Sequence, residues 1–123
     1  MRRGAVVLLC SAPFHCRIVQ PCAYGLAIAL AAVTFNTPGG PPVAKVRADV
    51  VPDRDVIRAV LVEQVTGSVR WRESVQVMAA KGVTEFWEIG AGKALSGMIR
   101  KIDRSLTSRQ VGTPDDVKAT AAL

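Results

Sequence analysis

Aromatic residues make up only 5% of this 123-residue chain: one Tyr, two Trp and three Phe. A nucleic-acid surface built on base stacking interleaves aromatics with its basic residues, so the basic residues scattered from Arg2 to Arg109 predict no nucleic-acid partner. Long hydrophobic runs are also missing. The run from Cys22 to Val33 has 12 residues where a membrane-spanning helix needs roughly 20, and no membrane association is expected. Cysteine is sparse: Cys10, Cys16 and Cys22 are odd in number and six residues apart, which suits neither paired disulfides nor a C-x2-C zinc site. No other group of His, Cys, Asp or Glu has metal-ligand spacing, so no metal and no cofactor are expected, and reduced thiols fit a cytoplasmic protein. Met1-Arg2-Arg3 followed by Ala5 to Leu9 is similar to the opening of an export signal, but Pro13, His15 and Arg17 interrupt it. A small exported basic protein stays as an alternative.

Half of the residues are apolar, so a modest core is possible for a chain of this length. Sixteen Lys and Arg against ten Asp and Glu give a net charge of +6, which favours an anionic partner without choosing one. Ala5 to Leu9 reads as a buried strand leading into a polar loop, Ser11 to His15. Gln20 to Val33 has helical composition, with Pro21 acceptable in a first turn. Thr37 to Pro42 breaks regular structure, and Val43 to Val51 predicts an extended segment feeding a strand. Asp53 is a candidate N-cap for a helix with Ile57, Val60, Leu61 and Val65 on one face. A second helix places Trp71, Val75, Met78 and Ala79 together and stops at Gly82. Val83 to Ile89 predicts a buried strand that turns at Gly90-Ala-Gly92 into a helix with Leu95, Met98, Ile99 and Ile102 inward. Thr113-Pro-Asp-Asp116 has the cap, first-turn proline and acidic third position of a short helix. This order predicts an α/β fold with helices over a mainly parallel sheet.

His15 is the sole histidine, and a lone histidine alone is more often structural than catalytic. Ser11, four residues earlier, lacks the Gly-x-Ser-x-Gly surroundings of an activated serine and reads as a loop hydroxyl. Gly90-Ala-Gly-Lys93 has Trp87 where a phosphate loop needs glycine and Ala94 where it needs Ser or Thr, so it reads as a tight turn, with Glu88 structural.

Three segments in order carry a family likeness: Ser11-Ala-Pro-Phe-His15-Cys16, then Gln64-Val-Thr-Gly-Ser-Val-Arg-Trp71, then Glu88-Ile-Gly-Ala-Gly-Lys-Ala-Leu-Ser-Gly97. Val111-Gly-Thr-Pro-Asp115 is typical of the same family's tail. Together they resemble the C-terminal part of a malonyl-CoA:acyl carrier protein transacylase. Lys45, Gly39-Gly40, Arg17 and Tyr24-Gly25 depart from its pattern. The resemblance implies the C-terminal part of an α/β-hydrolase-like acyltransferase domain over residues 11–105. A remnant strand of a small ferredoxin-like subdomain would occupy residues 1–10, and a tail with a short helix residues 106–123. It implies that His15 is the catalytic base, that the Gln64 main-chain carbonyl orients the histidine ring, and that Phe14 sets acyl specificity for malonyl over bulkier groups. The bland alternatives are a water-exposed helix-end amide for Gln64 and a core ring for Phe14. Malonyl-CoA and acyl carrier protein are the implied substrate and partner, in fatty acid biosynthesis. The family's Gly-His-Ser-Leu-Gly nucleophile motif is not in these 123 residues. The expectation is therefore a truncated, inactive transacylase segment, the alternative a non-catalytic module that binds acyl carrier protein or a partner chain.

Overall fold

The structure, a computed structural model, describes residues 11–120. The anticipated strand Ala5 to Leu9, and with it the ferredoxin-like remnant, lies outside the described residues. In chain order the elements are a 3-10 turn at Arg17–Val19, α1 (Gln20–Ala31), β1 (Val43–Ala44), β2 (Asp49–Val50), α2 (Arg54–Thr66), α3 (Trp71–Ala80), β3 (Glu85–Ile89), α4 (Ala94–Ile102), β4 (Thr107–Val111) and α5 (Pro114–Thr120). The fold is mixed α/β. Two compact units divide the chain, Met1–Pro42 with Val51–Val69, and Val43–Val50 with Arg70–Leu123.

In the first unit α1 packs on α2. The Asp53 carboxylate accepts from the Asp55 and Val56 amides at 2.6 and 3.3 Å, capping α2 as its position in the sequence predicts. Arg58 reaches from α2 to the end of α1: its guanidinium lies 4.9 Å from the Phe35 ring centroid and donates to the Val33 carbonyl at 3.3 Å.

In the second unit Val75, Ile99 and Leu106 form the buried cluster, surrounded by Trp71, Met78, Ala79, Phe86 and Ile102. α3 ends as its sequence indicates, with Gly82 at φ +92°, a left-handed turn that a Cβ would oppose. β3 and β4 pair in parallel, Glu85 opposite Thr107 through Ile89 opposite Val111. Thr113 and Asp116 form a reciprocal cap for α5: the Asp116 amide donates to the Thr113 hydroxyl, and the Gly112 and Thr113 amides donate to the Asp116 carboxylate.

Four expectations need correction. Val43 to Val51 is not one extended segment but two antiparallel pairs of residues, Val43 opposite Val50 and Ala44 opposite Asp49. The Arg47 and Ala48 amides both turn back to the Ala44 carbonyl, and Ala48, buried, has φ +53°. Second, β4 was not anticipated, because Thr-Ser-Arg-Gln-Val has a single apolar side chain and owes its extended form to pairing with a strand more than twenty residues away. Third, β3 is not buried on both faces. Phe86 turns inward while Trp87 and Ile89 are 42% and 78% exposed, because among the described residues the helices cover one side of this two-stranded sheet. Fourth, Leu95 and Met98 are each 40% exposed, leaving Ile99 and Ile102 to dock α4.

Candidate active site

Within the first unit, the segment before α1 folds back on itself. The Phe14 amide donates to the Ala12 carbonyl at 2.9 Å, and the Cys16 thiol donates to the Pro13 carbonyl at 3.1 Å. Between them His15 takes φ +56°, a left-handed conformation that residues other than glycine hold only when their surroundings fix them. The result is a turn that projects the imidazole toward the end of α2.

There Nδ1 of His15 lies 2.8 Å from the main-chain oxygen of Gln64, across 49 residues of sequence. A carbonyl can only accept, so Nδ1 donates and carries the ring hydrogen; in the neutral ring the lone pair then resides on Nε2. The availability of this carbonyl has a simple cause. Gln64 is in the last turn of α2, where main-chain oxygens run out of intrahelical donors. That turn is also the negative pole of the helix, complementary to the positive charge an imidazole acquires when it takes up a proton. His15 is half-buried, so the contact is partly shielded while the ring keeps access to solvent.

Phe14 is 67% exposed, so it is not a core ring. Ser11 is exposed and Cys16 and Cys22 are free thiols. The structure thus brings His15 and the Gln64 carbonyl together and sets Phe14 next to them along the chain.

In the second unit Glu88, on β3, reaches the start of α4. Its carboxylate accepts from the Leu95 and Ser96 amides at 3.0 and 2.8 Å and from the Ser96 hydroxyl at 2.6 Å. The Ser96 hydroxyl, followed by the Ser96 and Leu95 amides, holds the Glu88 carboxyl below its ordinary range. This helix terminus, which an anion could otherwise use, is filled by the protein's own carboxylate, so the glycine turn is not a phosphate loop. Arg100, Lys101 and Arg104, which read as scattered along the sequence, line one cavity of about 450 Å³. Their spacing of one and four residues on α4 and just beyond it was the signal for that grouping. No described helix is long and apolar enough to cross a membrane.

No family model matches the chain. Individual proteins do. The chain is 39% identical over 121 residues to the malonyl CoA-acyl carrier protein transacylase of Escherichia coli K12, an alignment that takes in 98% of this chain and 39% of that protein. It superposes with TM-score 0.83 and 39% identity on the acyl-carrier-protein-S-malonyltransferase of Bartonella henselae, over 91% of this chain and 36% of that one. A malonyl-transacylase solved in complex with a type II PKS acyl-carrier protein matches with TM-score 0.82 and 32% identity, over 94% of this chain and 38% of that one. The chain thus spans about two fifths of the length of its curated relatives, and over that span it is similar in sequence and fold to malonyl CoA-acyl carrier protein transacylases.

Proposed function

We propose that this chain supplies the histidine side of a serine–histidine malonyl transfer from CoA to acyl carrier protein. The observation that carries the reading is the 2.8 Å contact from His15 Nδ1 to the Gln64 carbonyl, which leaves Nε2 as the basic nitrogen. Nε2 takes the proton of a serine hydroxyl as the serine oxygen bonds to the malonyl thioester carbon. The imidazolium returns that proton to the departing CoA sulfur. In the second half Nε2 takes the proton of the carrier thiol, whose sulfur displaces the serine oxygen, and the serine is reprotonated. The Gln64 carbonyl takes the place of a triad aspartate, orienting the ring and balancing its transient charge. Both half-reactions use only malonyl-CoA and the carrier thiol, and no cofactor enters.

Phe14, in the assembled site, lies beside the acyl group and admits malonyl while its ring excludes an added α-methyl by volume. The serine and its oxyanion donors are not among these 123 residues, so the isolated chain is expected to give no transfer above background. Architecturally, residues 11–105 correspond to the C-terminal part of an α/β-hydrolase-like large subdomain, followed by its tail.

A graft tests the reading. Residues of this chain replace the matched 39% of the E. coli relative, and malonyl transfer from CoA to carrier protein is followed. The graft is expected to turn over, and His15→Ala within it to lose on the order of 10^2 to 10^4 in rate. An active graft indifferent to His15→Ala would overturn the assignment. The basic cavity of Arg100, Lys101 and Arg104 favours a second reading, a module that holds acidic acyl carrier protein without turnover. Binding of carrier protein by the isolated chain, weakened by salt, would support that second reading.

A further inference from the structure

Residues 18–44 contain no Asp, Glu, Lys or Arg, 27 positions in a chain whose residues are 21% charged. α1 occupies the middle of this stretch. Its inner side is Ala23, buried, with Leu26, Ala27 and Leu30 half-buried. Its outer side carries Tyr24 and Ile28, one turn apart and 64% and 76% exposed, with Gly25 and Ala29 beside them. A helix that is uncharged all round suits a covered position, yet this side meets solvent.

The chemistry of the face narrows what covers it. A lipid surface is a poor match: an interfacial helix needs a strongly polar side opposite its apolar one, and α1 has none. An acidic or basic protein surface would lose hydration of its charges here without gaining a partner for them. A charge-free face is complemented by another charge-free face, and the longest one in this sequence is the same stretch on a second copy. Each copy carries +6, so contacts through most of its surface repel, whereas α1 against α1 places no charge in the interface. The outer face of β3, with Trp87 and Ile89 exposed, is a less suitable rival because it also presents the Glu85–Arg109 ion pair. We propose that α1 is a self-association surface, with Tyr24 and Ile28 of one copy packed on the same residues of a second across a two-fold axis. Gly25 and Ala29 let the two helices approach to about 8–10 Å.

This inference is independent of the acyl-transfer reading. Sedimentation equilibrium of the 123-residue chain tests it at low and high salt. The expected result is a monomer–dimer equilibrium that tightens as salt rises, because screening relieves like-charge repulsion while leaving apolar contact intact. Ile28→Lys and, separately, Tyr24→Lys are expected to weaken it at least about tenfold, with circular dichroism unchanged because both side chains are exposed. Ile89→Lys is expected to leave it unchanged. A chain monomeric to about 1 mM, a dimer that both α1 variants leave intact, a dimer dissolved by Ile89→Lys, or an association that salt weakens would each overturn the proposal.

Discussion

The two units of this chain are held together by different means. In the second, an aliphatic cluster of Val75, Ile99 and Leu106 is buried from solvent, while carboxylates close helix ends in both units, Asp53 in the first and Glu88 and Asp116 in the second. In the first, the buried apolar residues are smaller, Ala23, Val51 and Val60, and the conspicuous long-range link is a histidine ring on a main-chain oxygen. The second unit is specified by packing, the first by a polar contact whose geometry matters for chemistry. A region shaped by packing tolerates exchange of one apolar side chain for another. A region shaped by a left-handed histidine and an orphan carbonyl does not, because each atom is placed for a role that volume cannot replace.

The sharpest way to break this contrast is to remove core volume from the second unit. Ile99→Ala is expected to cost about 2–5 kcal/mol in urea-induced unfolding, since the side chain is 3% exposed and its loss leaves a cavity. A cost no greater than that of an exposed substitution would remove packing as the basis of this unit. Next in size is Asp53→Ala in the first unit, expected to cost about 1 kcal/mol, because two α2 amides lose their acceptor. Urea unfolding measures it on the same scale.

The smallest effect is visible through pH. The carboxyl of Glu88 titrates below its ordinary value of 4.5 in the folded protein, so the unfolded chain binds its proton first as pH falls. Its stabilisation is therefore complete above the unfolded value and is lost as pH drops through the folded one. The stability gap between wild type and Glu88→Gln should accordingly be present near neutral pH and close below about pH 4.5. A gap that persists at lower pH would mean that Glu88 acts through its shape rather than its charge.

Much of the local structure was legible in the sequence because local signals have local causes. Asp53, Gly82 and Thr113-Pro-Asp-Asp116 end or start helices through bonds to residues two to four positions away. β4 was not legible, since its register is set by β3 and its own residues are mostly polar. The paired turns at Val43 to Val50 were missed for a related reason: the bend rests on a buried, left-handed Ala48, and alanine gives no hint of it. The juxtaposition of His15 and Gln64 lies between these cases. Nothing local links residues 49 positions apart, and only the family likeness of the two segments indicated it. Periodicity likewise placed Leu95 and Met98 inward, because it reports which residues are apolar and not how much sheet is present to receive them.

The most direct test of the central claim is the protonation pattern of the His15 ring, read by nitrogen-15 NMR of the neutral imidazole in the 123-residue chain. With a single histidine the signals need no assignment. A ring held on the Gln64 carbonyl is expected in the Nδ1–H form, with Nε2 showing the shift of an unprotonated nitrogen. A ring found chiefly in the Nε2–H form would contradict the account, because the nitrogen assigned as the base would then already carry the proton.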